Sequence, residues 1–205
     1  MKNNKIKEFN IVIAGTGGQG LITLLKVIAQ AAALESYDLK TSELHGLSQR
    51  GGSVEVHIRF GKKIYSPLIK PGGADLIISL EAQEALRSCD YCGPQTNFLI
   101  NKHFIPILSQ KAISEREIIR VLGKCSKSTI LVPASQICKK KLGATVLAGT
   151  YLLSLAVFKG LIPLKQESIR LALKKIIPEK YLEMNIEAFD LAQQSFLKEK
   201  LGRPN

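Results

Sequence analysis

Asn10-Ile11-Val12-Ile13-Ala14 runs directly into Gly15-Thr16-Gly17-Gly18-Gln19-Gly20, and from Gln19 to Ser36 apolar residues recur at helical spacing with no proline. A short β-branched apolar run ending at glycine reads as a buried strand, and the periodic stretch after it reads as a helix. Strand, glycine-rich turn and helix in that order start an α/β unit. Gly15, Gly17 and Gly20 fit G-x-G-x-x-G, in which free backbone N–H groups at a helix N-terminus can hold an anion. Glu43 follows some twenty residues later at the end of Leu39–Leu44, where a dinucleotide fold places its ribose ligand. On pattern alone the loop serves a nucleotide, another anion or partner backbone, or only tight strand–helix packing.

A second loop comes thirty residues on: Ser42-Glu43-Leu44-His45-Gly46-Leu47-Ser48-Gln49-Arg50-Gly51-Gly52-Ser53. It interleaves glycines with a carboxylate, an imidazole, an amide and a guanidinium. Glu43, His45, Gln49 and Arg50 are suited to orienting an acidic substrate or coenzyme group, and the planar fork of Arg50 suits carboxylate or phosphate. The plainer reading is a loop ordered by its own Glu43–Arg50 ion pair that serves as a subunit contact.

The rest of the chain continues the α/β pattern. Val54, Val56, Ile58 and Phe60 alternate with Glu55, His57 and Arg59, so Ser53 to Phe60 is a strand with two distinct faces. Gly61-Lys62-Lys63 reads as a hairpin turn into Ile64-Tyr65. Leu76-Ile77-Ile78-Ser79-Leu80 is apolar throughout, as expected of a strand covered on both faces. Further strands are expected at Phe98–Asn101 and Thr129–Pro133. Short helices are expected at Glu81–Arg87 and at Ser114–Leu122, where Ser114 and Glu117 have capping-box spacing. Helices should then fill Ser135–Lys141, Thr145–Lys159, Gln166–Ile176 and Glu179–Lys198, broken at Pro163 and Pro178. The expected fold is α/β: one three-layer Rossmann-like sandwich over residues 1–205, a mostly parallel sheet with one hairpin, and a helical C-terminal portion from about 135.

Net charge is +12, and it is uneven: residues 102–205 carry 18 Lys and Arg against 8 Asp and Glu, while residues 1–101 carry 11 against 9. The basic residues are mostly lysines at helical spacing with few aromatics among them, which reads as a solvated face rather than a nucleic-acid surface. An acidic partner subunit or an anionic ligand such as coenzyme A would also suit it. No long apolar run precedes Gly15, and Thr145–Phe158 falls short of the roughly 20 residues that span a bilayer. A cytoplasmic protein without membrane contact is expected. Cys89, Cys92, Cys125 and Cys138 are expected to be free thiols in a reducing compartment, since the Cys89–Cys92 pair lacks both a thioredoxin-like context and a second ligand pair. His57, between Glu55 and Arg59, reads as a hydrogen-bonded or interface histidine, and His103 as a loop residue.

Together the two loops resemble the gamma-type domain of the thiamine-diphosphate-dependent 2-oxoacid:ferredoxin oxidoreductases. The stretch Glu43–Val54 is most similar to the beta subunit of the indolepyruvate:ferredoxin branch. The likeness continues through Ile64–Ile69, Ala74–Ser79, Asn101, Leu142-Gly143-Ala144 and Asn185–Phe189, nearly the whole chain. Leu47 departs from it, where that branch more often shows methionine, and the cysteines match no motif of the family. The resemblance implies a subunit active only with a larger one. That larger subunit would carry thiamine diphosphate, Mg²⁺ and [4Fe-4S] clusters and would pass electrons to ferredoxin. The implied reaction is oxidative decarboxylation of an aryl-pyruvate with coenzyme A as co-substrate. This chain has neither cluster-type cysteine spacing nor a Gly-Asp-Gly…Asn diphosphate motif, so no tightly bound cofactor, metal or catalytic residue is assigned to it alone. The implied site comprises the glycine loop Gly15, Thr16, Gly17, Gly18, Gln19 and Gly20, and the loop Glu43, His45, Gly46, Gln49, Arg50, Gly51, Gly52 and Ser53. To these it adds a strand-end cleft at Ser79, Glu81 and Asn101. The isolated chain is expected to be inactive, with a homodimer as one arrangement open to it.

Overall fold

The apolar run before the first glycine loop forms the centre of a six-stranded sheet. The computed structural model describes residues 6–46, 51–105 and 113–202, together with all side chains in those segments except that of His45. The strands are β1 (Glu8–Thr16), β2 (Asp38–His45), β3 (Ser53–Gly61), β4 (Leu76–Ser79), β5 (Asn97–Asn101) and β6 (Ser128–Val132). Their order across the sheet is β2-β3-β1-β4-β5-β6. β3 is antiparallel to both β1 and β2, whereas β1, β4, β5 and β6 pair in parallel, so five of the six strands point one way.

Alternating side chains divide the core into two layers, because successive strand residues point to opposite faces. Ile11, Ile13, Leu76, Ile78 and Leu99 face a cluster with α1 (Leu21–Leu34), α4 (Ala134–Leu142), α5 (Ala148–Phe158), α6 (Gln166–Ile176) and α7 (Glu179–Lys200). Val12, Ile77, Phe98 and Ile100 face α2 (Ala82–Arg87) and α3 (Glu115–Leu122) on the other side. The result is the expected α/β three-layer sandwich, and the C-terminal helices pack into the larger layer. All eleven residues of α5 are buried, which explains the apolar run Thr145–Phe158: a helix apolar all round is a core helix. No helix among the described residues is long and apolar enough to cross a membrane. The expected capping box at Ser114 and Glu117 starts α3.

The hairpin is real but lies elsewhere. Ile64 and Tyr65 form no strand; β3 instead turns back from β2 across the second glycine loop. Past Gly61 the chain is pulled over the start of β1, where Lys62 N donates to Lys7 O and Ile64 N to the Asp38 carboxylate. A Cβ at Gly61 would lie 2.3 Å from Lys7 O, so only glycine allows the approach. The polar face of β3 then holds the segment that follows. Arg59 donates to the Ser66 and Leu68 carbonyls, to Asn10 Oδ1 and to Glu8. His57, 1% exposed, accepts from Ile69 N at Nδ1 and meets Glu55 at Nε2, a hydrogen-bonded histidine as its neighbours in sequence suggested.

One carboxylate at the β1–β4 seam makes stability depend on pH. Asp75 Oδ2 accepts from Asn10 N at 2.7 Å. Burial pushes its carboxyl above the usual range, and the Glu8 charge adds to this, against the pull of the Asn10 amide. The folded state therefore takes up a proton more readily than the unfolded chain. The resulting stabilisation is complete below an ordinary carboxylate pKa of about 4 and is lost as pH rises through the folded value. Relative to Asp75→Asn, the native chain should gain stability as pH falls from 7 towards 4 in urea titrations; parallel curves would refute the assignment.

Candidate functional site

In open α/β sheets ligands bind outside the carboxyl ends of the strands, where the connections diverge. Here that point lies between β1, which leads out through α1 toward the β2 edge, and β4, which leads the other way to β5 and β6. The first glycine loop sits at this crevice. Gly15 and Thr16 complete β1, and Gly20, at φ 82°, is the N-cap of α1 with no side chain capping the helix. Gly18 is also left-handed, at φ 97°. Gln19 folds back so that its Oε1 accepts from Thr16 N at 2.9 Å, and its own N–H returns to Thr16 O. The Gly17 N–H is taken by Gly52 O at 2.9 Å. Part of the loop's amide capacity is thus spent, and the first turn of α1 has no side-chain cap.

Gly15 is there for packing. A Cβ would come within 2.6 Å of Gln19 Oε1 and 3.2 Å of Leu80 Cβ. Gly15→Ala should push Gln19 off Thr16 N and cost about 1–2 kcal/mol in urea unfolding, an overpacking penalty plus one lost hydrogen bond. An unchanged midpoint would show that the loop yields freely.

The second loop reaches the same place from the other side. Gly52 meets Gly17, and Ser53 Oγ donates to the buried carboxylate of Glu84, which also pairs with Arg87. Gly51 takes φ 70°, and Gly46 is exposed. Leu47, Ser48, Gln49 and Arg50, and the side chain of His45, lie outside what the structure describes. Glu43 is exposed at the sheet edge. Its register runs Glu43–Val56–Ile13, with β3 between it and β1. Two strand spacings place it roughly 10 Å from β1. In a dinucleotide fold the strand carrying the acidic residue lies directly beside the first, so this topology removes the ribose-binding geometry that the spacing suggested.

Of the three strand-end residues, Asn101 lines the described hollow at the crevice. Ser79 Oγ donates to Glu81 O, and the Glu81 carboxylate accepts from Gln83 N, Glu84 N and Ile105 N. Both are buried; Glu81 caps α2 and holds the segment after β5, and Ser79 holds the Glu81 carbonyl. Asn101, 2% exposed, donates to Leu80 O and Ser135 Oγ and accepts from Ser135 N, tying the ends of β4 and β5 to the start of α4. It lines a hollow of about 170 Å³ with Gly18, Gln19, His103, Ser135 and Thr145. His103, expected as an ordinary loop residue, is therefore an imidazole at the cleft.

Next to it, sharing Gln19, Val146 and Gly149, opens a larger cavity of about 510 Å³. Its walls are the first turn of α1, the turn after Gly143 and the start of α7. Leu24, Leu147, Ile177 and Met184 make it apolar, while Thr23, Thr150 and Asn185 bring polar atoms. Thr150 Oγ1 donates to Asn185 Oδ1 at 2.6 Å, and Asn185 Nδ2 donates to Tyr181 O. Lys180 stands over the ring of Tyr181, a lining residue, at 4.7 Å. Such a cavity suits a ligand with an apolar arm and an anionic end: the uncapped, positive end of α1 and Lys180 favour negative charge. Among the described residues no group of three His, Cys, Asp or Glu side chains is arranged to hold a metal ion.

Comparison with known proteins places the chain in a family. Residues 10–195 match the family described as pyruvate ferredoxin/flavodoxin oxidoreductase. Indolepyruvate oxidoreductase subunit IorB of Archaeoglobus fulgidus is 34% identical over 209 residues, covering 97% of this chain and 98% of that one. IorB of Pyrococcus horikoshii is 31% identical over 91% and 95% of the two chains. Among solved structures, the gamma subunit of a Geobacter sulfurreducens keto/oxoacid ferredoxin oxidoreductase superposes with a TM-score of 0.67 at 19% identity, covering 92% of this chain and 98% of its own. A chain of the Magnetococcus marinus 2-oxoglutarate:ferredoxin oxidoreductase, solved with 2-oxoglutarate, coenzyme A and succinyl-CoA bound, gives 0.72 at 20% identity, over 94% of this chain and 31% of that one. With a family match over most of its length and full-length relatives above 30% identity, the chain belongs to the pyruvate ferredoxin/flavodoxin oxidoreductase family.

Proposed function

We propose that this chain is the small subunit of an indolepyruvate-type 2-oxoacid:ferredoxin oxidoreductase in the cytoplasm, and that its crevice completes the coenzyme A pocket of the complex. The full-length similarity to IorB subunits carries the first part. The cavity beside the two glycine loops, part apolar and walled by the positive end of α1, carries the second. Thiamine diphosphate supplies carbanion stabilisation when bound, and iron–sulfur clusters take electrons one at a time. The donor groups described here fit neither, since no metal-holding set is formed. Those groups are assigned to the larger partner subunit, with ferredoxin reached through it. This chain's own part is to bind and orient: the α1 turn attracts the coenzyme's anionic groups, Thr150 and Asn185 fix polar contacts, and the apolar wall excludes water. Arg50, from its residue type, is a further candidate for an anionic group.

Purifying the tagged chain from its native lysate without oxygen should bring down a brown, cluster-bearing partner; a colourless chain alone would overturn the subunit assignment. In the reconstituted complex, Thr23→Asp separates pocket from scaffold. A carboxylate in the first turn of α1 should stabilise the helix by about 0.5 kcal/mol, yet repel an anionic ligand and raise the KM for coenzyme A several-fold. An unchanged KM would remove coenzyme A from this cavity.

A further inference from the structure

The two cavities at the crevice meet at one polar side chain. Of the three residues they share, Val146 and Gly149 bring no polar side-chain atom, and the third is Gln19. Its carboxamide is fixed in one orientation. Oε1 accepts from Thr16 N at 2.9 Å, so turning the amide over would set its NH2 group against the Thr16 N–H, donor against donor. Gly15 makes the room for it, since a Cβ there would lie 2.6 Å from Gln19 Oε1. With the oxygen committed, Nε2 is the end of the carboxamide left to meet a ligand. It carries two N–H donors and has no hydrogen-bond partner among the described residues.

Three carboxamides line the two cavities, and the other two are more fully committed. Asn101 gives both N–H groups away, to Leu80 O and Ser135 Oγ, and accepts from Ser135 N. Asn185 accepts from the Thr150 hydroxyl and gives one N–H to Tyr181 O. The Gln19 carboxamide gives none to the described residues. No Asp or Glu lines either cavity, so an acceptor oxygen at their junction meets no carboxylate. A donor already held in position loses little freedom when a ligand arrives, which favours affinity.

We propose that Gln19 is a specificity-determining residue of the crevice: its Nε2 donates to an acceptor oxygen of the coenzyme where the two cavities meet. This rests on the coenzyme A reading of the pocket. The oxygen is a phosphoryl oxygen or a carbonyl of the coenzyme's amide-bearing arm. Both are acceptors, and Nε2 serves either. A group with only donors to offer, such as an ammonium, would face Nε2 donor to donor and be refused. The role is in binding, so it falls on KM and not on the reacting atoms.

Gln19→Glu and Gln19→Met test this in the reconstituted complex, with urea unfolding of each chain to confirm that it folds. Glutamate keeps an oxygen for Thr16 N, and a negative charge at the start of α1 favours the helix. Methionine keeps an unbranched, uncharged side chain of similar length. The one thing that both lack is the Nε2 donor. Both should raise the KM for coenzyme A with kcat at saturation near native: methionine by about tenfold, the worth of one hydrogen bond to a ligand oxygen, and glutamate by more. Pantetheine as a competitor tells the two oxygens apart. Weaker inhibition by pantetheine in the variants identifies an arm carbonyl, and unchanged inhibition beside a raised KM for coenzyme A identifies a phosphoryl oxygen. A native KM in Gln19→Met would reduce the glutamate effect to charge and overturn the inference, and so would a native KM in Gln19→Glu. If Thr23→Asp raises KM while neither Gln19 variant does, this inference fails and the pocket stands. If none of the three responds, the pocket reading fails with it.

Discussion

Asn101→Ala will destabilise the chain by about 2–3 kcal/mol and loosen the floor of the crevice. The amide does three jobs at once: it caps Leu80 O at the end of β4, binds Ser135 Oγ, and accepts Ser135 N at the start of α4. Leu80 is buried, so its carbonyl will find no water when the amide is removed, and an unsatisfied buried acceptor costs about 1–3 kcal/mol. Ser135 borders the hollow and is only part-buried, so water can replace its share. Asn101→Asp separates these terms. It keeps an acceptor for Ser135 N but turns an oxygen toward Leu80 O, so it should be no more stable than the alanine variant near neutral pH. A denaturant midpoint within 0.5 kcal/mol of native for either variant, roughly the level of an inert surface change, would mean that the three bonds are dispensable.

How far such a residue can be read from sequence depends on what it contacts. The strand Asn10–Ala14, the helix after Gly20 and the faces of β3 follow from local periodicity, and the structure keeps them. The hairpin at Gly61 failed because alternation fixes which side chains share a face, not which strand lies alongside. β3 inserts between β1 and β2, a choice made by non-local packing and by the Lys7 carbonyl that Gly61 admits. That insertion also undid the dinucleotide reading of Glu43, whose spacing was right and whose neighbour was wrong. The glycine loops were legible as a pair, and they do touch, through Gly17 and Gly52. Their division of labour was not: Gly15 serves packing against Leu80, whereas Gly18 and Gly20 serve left-handed turns. Thr150 and Asn185 lie in different helices, 35 positions apart. Only the packing of α5 against α7 brings them together on the cavity wall. Asn101 was legible as a strand-end residue, but Ser79 bonds the Glu81 carbonyl and Glu81 caps α2.

Val146→Trp should close the larger cavity at almost no cost to folding. Val146 is 61% exposed in the short turn Thr145–Leu147 and borders both hollows, so an indole there can lie across the mouth without entering the core. Substitutions at such positions change stability by about 0.5 kcal/mol or less. If the cavity receives coenzyme A, the wider side chain must be displaced before the coenzyme can bind. A displacement worth about 1.4–2.7 kcal/mol appears as a 10- to 100-fold rise in KM. The kcat at saturating coenzyme A should fall far less, because the indole stands in the binding path and touches no reacting atom. The reading has a specific competitor: the partner subunit could itself cover Val146. In that case the tryptophan would weaken assembly, activity would fall in step with the amount of partner recovered on co-purification, and KM in the surviving complex would stay native. A raised KM in a fully assembled complex supports the pocket, a native KM with poor assembly supports an interface, and a native KM in a fully assembled complex places the coenzyme elsewhere. The pairing with Thr23→Asp makes the first outcome harder to mimic. One variant acts by bulk and the other by charge, from two elements lining the same cavity, and a ligand bound there responds to both.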